Sequence, residues 1–210
     1  MNATVPLLEA YRRAGATIGE VYGASAGLAL APAGRGLWLA DLSPLPKWLL
    51  LGRDAAAALA AAGFAAPSLM EVSAGAAGAF VACAAPRQYL VSAGDAGLPP
   101  PALIEARCAL RYDCADLVLG GGQGADGIDD LLTEVCTTEL ASFLPGAWIP
   151  TLCCGVEAAL WRLAPQIWRA IAAPADGAFL AASLLDAVHR RHGALAGYRD
   201  FLDVICSAGR

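Results

Sequence analysis

From Trp38 onward the apolar positions fall into short runs separated by glycine and proline, a spacing that predicts strands and helices of ordinary length. Residues 47–51 form an apolar run of strand length, Gly52 ends it, and Asp54 stands where it would cap a helix over 55–62. Residues 79–84 and 88–92 flank Pro86 and Arg87 as a hairpin, and Pro99, Pro100 and Pro101 precede a helical stretch over 102–111. The order then recurs. Residues 116–119 read as a strand, 120–124 as a loop, and Asp126 opens a helix towards Cys136. Three runs rich in aromatic and β-branched residues follow at 148–153, 156–162 and 167–172, and 176–192 is the longest amphipathic helix. Residues 1–35 carry only a short helical pattern around Leu7 to Arg13 and a Gly/Ala-rich stretch without a firm period, and are expected to form an N-terminal arm. A strand-helix-strand-strand-helix order that occurs twice predicts the α+β class, with mostly antiparallel sheets and helices on one face. It divides the chain into two related halves, 36–112 and 113–210, the second ending in a helix.

Composition changes this picture in one respect. The 210 residues suffice for a core of their own, but only 16% are charged and 58% are hydrophobic, where a soluble domain carries about 25% charged residues. Disorder is excluded, and apolar surface is expected to meet a protein partner. No window supplies the roughly 20 apolar residues of a spanning helix; the best, 55–70, is broken by Gly63 and Pro67. Glu9, Arg12 and Arg13 precede any apolar run, so no signal peptide and a cytoplasmic location are expected. Seven cysteines, an odd number without framework spacing, are expected as reduced thiols. A net charge of −5 removes the attraction on which nucleic-acid binding depends. The basic cluster of His189, Arg190, Arg191 and His192 reads as the last turn of a helix, with Gly193 as its stop.

Candidate chemistry is sparse. Gly122, Gly124 and Gly127 satisfy G-x-G-x-x-G between a strand and a helix, the setting of a dinucleotide site. Asp126, Asp129 and Asp130 then place negative charge where a pyrophosphate needs bare amides, which favours a turn with acidic capping. Cys153 and Cys154 lack the spaced partners of a zinc site, and neighbours on a strand point to opposite faces, so no metal site is expected. With no G-x-S-x-G elbow and both histidines in one arginine-flanked turn, no catalytic residue is assigned. Trp38, Trp48, Trp148, Trp161 and Trp168 lie on or beside predicted strands and are expected in the core or on a protein-contact surface.

The segment from Gly36 to Ala55 joins an apolar strand, Asp41-Leu42-Ser43, a second strand and Gly52-Arg53-Asp54-Ala55. It resembles the opening motif of the aminomethyltransferase-like folate-binding superfamily, and within it is most similar to the gamma subunit of heterotetrameric sarcosine oxidase. Residues 116–143, the Leu144-Pro145-Gly146 turn after Phe143, and 156–162 resemble that subunit's strand, helix, turn and Trp-Arg strand. The similarity covers roughly 36–192. Pro44 stands where glycine-cleavage enzymes have His, and the Lys-Gly-Cys-Tyr segment of the single-chain branch is missing, so no cofactor-binding residue is carried over. The resemblance implies a structural, accessory subunit of a heteromeric sarcosine-oxidase-like complex, which demethylates an amine oxidatively and passes the one-carbon unit to tetrahydrofolate. Flavin, NAD and tetrahydrofolate are then expected in the larger flavoprotein subunits that would be its partners. A free-standing folate-binding aminomethyltransferase-like protein is the alternative. The resemblance leaves open whether Asp41 and Ser43 do more than shape a turn.

Overall fold

The computed structural model describes residues 5–30, 36–75, 79–92, 94, 103, 105–121 and 127–208. In chain order, helix α1 (Leu8–Arg13) leads into the hairpin of β1 (Thr17–Val21) and β2 (Ala24–Ala29). β3 (Leu37–Asp41), β4 (Lys47–Leu51) and helix α2 (Ala55–Ala61) follow, then β5 (Val72–Ala74), β6 (Phe80–Ala85), β7 (Gln88–Ser92), β8 (Ala109–Arg111) and β9 (Ala115–Gly121). The remainder comprises helix α3 (Ile128–Val135), β10 (Ile149–Cys153), β11 (Val156–Ala164), β12 (Ile167–Ala172), helix α4 (Pro174–Arg190), β13 (Ala194–Leu195) and helix α5 (Tyr198–Ala208).

The fold is α+β and mostly antiparallel, in a six-stranded sheet ordered β10-β11-β12-β9-β3-β13, a five-stranded sheet ordered β5-β6-β7-β4-β8, and the β1-β2 hairpin. The pairing of β13 with β3 is parallel. Alternation along the strands gives the six-stranded sheet two apolar faces. Leu39, Leu117, Leu160 and Ala170 pack against α3 and α4 through Leu132, Leu180 and Leu184. On the opposite face Trp38, Ala40 and Val118 meet the hairpin and α5, while Trp161 and Ile171 meet Phe80, Ala82 and Leu90 of the second sheet. α2 covers the far side of that sheet, placing Leu59 against Trp48, Leu50 and Val91. The five-stranded sheet has its helix on one face, and its other face stacks on the part of the six-stranded sheet that the hairpin and α5 leave uncovered.

Several local expectations change. Residues 5–30 of the stretch expected as an arm fold onto the core. Tyr22 and Gly23 make a tight turn at φ 50° and 82°, and a Cβ on Gly27 would lie 2.4 Å from the Tyr11 ring, so the Gly/Ala-rich stretch is the small-residue strand on which Tyr11 lies. Residues 109–111, inside the stretch expected to be helical, pair with β4 instead, because the free edge of the sheet outweighs local propensity. Asp54 precedes α2 but makes no side-chain cap bond. At the end of α4, His192 takes the left-handed position at φ 58°, not Gly193. Gly193 serves another purpose: a Cβ there would lie 2.5 Å from Val188 Cγ1 and 2.6 Å from the Leu37 carbonyl. Gly193→Ala is therefore expected to lose about 1–3 kcal/mol, while His192→Gly gains up to about 1 kcal/mol; urea denaturation midpoints should move in opposite directions.

Candidate functional site

The Asp41-x-Ser43 turn and the strands it joins bring together a set of charged groups between the two sheets. Asp41 sits at the end of β3. Its Oδ1 accepts the Ser43 N–H at 2.9 Å and its Oδ2 accepts the Leu7 N–H at 2.9 Å, so one carboxyl shapes the turn and anchors α1. The Asp41 N–H donates to Tyr11 Oη at 3.1 Å, and the Tyr11 hydroxyl donates to the Ala196 carbonyl at 2.8 Å. Ser43 extends the link to β9, because its hydroxyl accepts the Asp116 N–H at 3.0 Å and the adjacent Leu42 N–H donates to the Asp116 carbonyl at 2.7 Å. Asp41 and Ser43 therefore do more than shape a turn: they fasten the N-terminal helix and β9 to the β3-β4 connection.

Asp116 is the centre of the cluster. Its side chain is fully buried, accepts Arg169 Nε at 2.7 Å and Nη2 at 2.6 Å, and receives Lys47 Nζ at 2.9 Å. Lys47 Nζ also donates to the carbonyls of Leu42 at 3.1 Å and Leu45 at 2.9 Å, which occupies all three of its donors. The Arg169 guanidinium lies 4.5 Å from the Phe80 ring centroid and 5.5 Å from that of Trp161. Burial alone would raise the Asp116 pKa, but the charges of Arg169 and Lys47 prevail and hold the carboxyl below the usual carboxylate range. For Asp41 burial prevails and pushes the carboxyl up, against the bonds from Ser43 and Leu7. Two cations and two carboxyls are thus committed to one another and to backbone groups. Such a cluster locks β4 of one sheet to β9 and β12 of the other, and its occupied donors leave Lys47 no proton to lend to a substrate.

Beside this lock the sheets diverge into an open cleft of about 730 Å³. Leu49, Leu90 and Tyr112 line one wall and Trp148 and Ile171 the other, with Glu157 and Asp176 among the polar lining groups. Among the described residues no lysine or arginine lines it. The aromatic walls and carboxylates suit a flat, neutral or cationic ring, whereas the anionic tail of a folate finds no cation there, so the donor set does not fit a whole folate.

Of the residues singled out by sequence, Trp148 lines this cleft and the others do not converge on it. Gly122, Gly124 and Asp126 lie outside the described residues; Gly127 precedes α3 at φ 116°, a conformation that needs glycine. Asp129, expected as an acidic cap, pairs with Arg162 at 2.9 Å and accepts Trp168 Nε1 at 3.0 Å. Arg190 and Arg191 bind Glu134 at 3.1 and 3.0 Å, tying the end of α4 to α3. Cys153 is buried at the end of β10 and Cys154 enters the following turn at φ 53°. Among the described residues no group of three or more His, Cys, Asp and Glu could hold a metal ion. Trp38, Trp48, Trp148, Trp161 and Trp168 are all buried. Sequence reasoning did not foresee Lys47, Asp116 and Arg169 as one cluster, although each is a charge set in an otherwise apolar strand, which is the available signal.

No family model and no curated protein sequence matches the chain. Solved structures do. A chain of the heterotetrameric sarcosine oxidase from Corynebacterium sp. U-96, solved in complex with pyrrole 2-carboxylate, is similar at TM-score 0.63 and 20% identity, over 89% of this chain and 95% of that one. The glycine cleavage system aminomethyltransferase T from Bartonella henselae is similar at TM-score 0.67 and 14% identity, over 95% of this chain but 60% of that one. No helix among the described residues is long and apolar enough to cross a membrane. The chain therefore has the mixed, mostly antiparallel α+β fold that is shared by the glycine-cleavage aminomethyltransferase and a chain of heterotetrameric sarcosine oxidase.

Proposed function

We propose that this chain is an accessory, gamma-type subunit of a cytoplasmic, heteromeric sarcosine-oxidase-like complex, in which larger flavoprotein subunits carry out oxidative N-demethylation and transfer the one-carbon unit to tetrahydrofolate. The observation that carries this reading is coverage. The chain corresponds to 95% of a chain of a heterotetrameric oxidase, but to 60% of the aminomethyltransferase T chain. Two features support it. The charged groups around the Asp-x-Ser motif are consumed by internal bonds, which makes the motif a structural lock. The surface carries large apolar side chains, among them Leu69, Met70, Phe143 and Leu144, the last 80% exposed. The Trp148 N–H donates to the Met70 carbonyl at 2.8 Å and the Val72 N–H to the Gly146 carbonyl at 2.6 Å, which holds the segments bearing these side chains side by side. Flavin, NAD and tetrahydrofolate belong, on this reading, to the partner subunits.

Co-expression with the large flavoprotein subunits of a sarcosine-oxidase-type complex tests the proposal. A stable complex that co-elutes in gel filtration is expected, with the lone chain poorly soluble; a stable monomer that ignores those partners would overturn it. The second reading, a free-standing folate binder, rests on the likeness to aminomethyltransferase T alone, since the cleft between the sheets offers no cation for a folate's anionic tail. Titration of the isolated chain with a reduced folate separates the two, since micromolar binding favours the folate reading and its absence the subunit reading.

A further inference from the structure

Two thiols face one another where the cleft wall meets α3. Cys136 follows α3 in extended conformation at φ −111° and ψ 147°, and forms an antiparallel bridge with Cys153. The flanking bonds run from the Thr137 N–H to the Leu152 carbonyl at 3.0 Å and from the Cys154 N–H to the Val135 carbonyl at 2.7 Å. This pattern makes Cys136 and Cys153 a non-hydrogen-bonded pair, in which Cα atoms lie about 4.5 Å apart and side chains meet on one side of the ladder. That spacing falls within the span of about 4.4–6.8 Å that disulfides adopt. The Cys153 thiol interacts with those of both Cys136 and Cys154. Cys154 is excluded as the bonding partner by chain geometry, because consecutive Cα atoms lie only about 3.8 Å apart.

We propose that Cys136 and Cys153 form a reversible thiol–disulfide site, oxidised by a low-molecular-weight disulfide, whose bond fastens the cleft wall to the end of α3. Of the pair, Cys136 is partly exposed and Cys153 fully buried, so Cys136 is the member that the incoming reagent can reach. The Cys136 thiolate attacks one sulfur of the reagent and expels a first thiolate. Cys153 gives up its proton and attacks the Cys136 sulfur, expelling the second. The two protein thiols are oxidised by two electrons, and the reagent is reduced to two free thiols. Contacts with Cys136 and Cys154 and burial keep the Cys153 thiol protonated, consistent with its acting second. The bond closes a loop over 137–152, the segment that supplies Thr137, Trp148 and Leu152 to the cleft and carries the exposed Phe143 and Leu144.

The test uses the full chain, reduced, then equilibrated with oxidised glutathione, unfolded in denaturant and alkylated, so that buried thiols also react. Two of the seven thiols are expected to become resistant to alkylation, with a peptide linking Cys136 to Cys153 found by non-reducing mass spectrometry. Loop closure should raise Tm by roughly 5–10 °C, reversed by dithiothreitol. Cys136→Ser should abolish the linked peptide and the Tm shift, and Cys154→Ser should preserve both. Seven alkylatable thiols after oxidation, a persistent glutathione adduct on Cys136, or a bond that includes Cys154 would each overturn the proposal. The mapping on the wild-type chain decides the matter without either variant, and independently of whether the chain joins an oxidase complex.

Discussion

Replacing Asp116 by alanine is expected to destabilise the chain by about 3–5 kcal/mol, because it leaves Lys47 and Arg169 as uncompensated charges between two packed sheets. Neither cation can reach water without separating β4 from β9 and β12. The triple variant Asp116→Leu, Lys47→Met, Arg169→Met should recover most of that loss, since apolar groups of similar volume remove the need for pairing. Urea denaturation of the single and triple variants tests this, and a triple variant no better than Asp116→Ala would show that packing, and not charge, holds the sheets together. The same residue contributes to the acid limit of stability. The folded-state pKa of Asp116 lies below its unfolded value, so its contribution is present above the ordinary carboxylate range and is lost as pH falls through about 4 and below. Asp41 has the opposite sign: its folded pKa is raised, so its contribution is present below its unfolded value and is lost as pH rises through the raised one. Asp116→Asn should therefore flatten the acid limb of a Tm-against-pH curve, and Asp41→Asn should flatten the limb above it.

Trp161→Ala is expected to lose a comparable amount, about 3–5 kcal/mol. Trp161 is buried where the sheets stack, with ring centroids 5.3 Å from Trp148 and 5.0 Å from Phe80. Its removal leaves a cavity that two sheets pinned by the Asp116 cluster cannot collapse to fill. Trp161→Phe should lose no more than about 1.5 kcal/mol, because it keeps the aromatic packing and removes a buried Nε1 that has no hydrogen-bond partner among the described residues. Thermal melts of the two variants should rank them in that order; equal losses would place the weight on shape at the inner ring instead of on the cavity.

How far the fold was legible depends on where each element draws its stability. β4, β7, β11 and β12 were legible because continuous or alternating apolar runs, bounded by Gly52, Gly155 and Pro165, state both type and length. α4 was legible from its amphipathic stripe. The β1-β2 hairpin was not, since Gly19, Ala24, Ala26 and Gly27 have little β propensity, and the close approach of Tyr11 to Gly27 and of Leu28 to Gly19 is a matter of tertiary packing. β8 was hidden for a similar reason: its pairing with β4 is supplied by a strand more than fifty residues away.

The candidate site divides along the same line. Asp41 and Ser43 were visible as a motif, and Cys153 and Cys154 as adjacent thiols, but their partners were not. Asp116 is 53 residues from Arg169 and Ser43 is 73 residues from Asp116, separations across which a linear pattern carries no signal. The sequence by itself determined the α+β class, the strands from β9 to β12 and a composition poor in charge, because those follow from periodicity and residue content. Only the tertiary structure decided which charges neutralise one another, which cysteines face across a ladder and where the sheets part to leave a cleft. These depend on groups brought together by sheet stacking, and the free energy that pairs them arises only once water has been excluded from between the sheets.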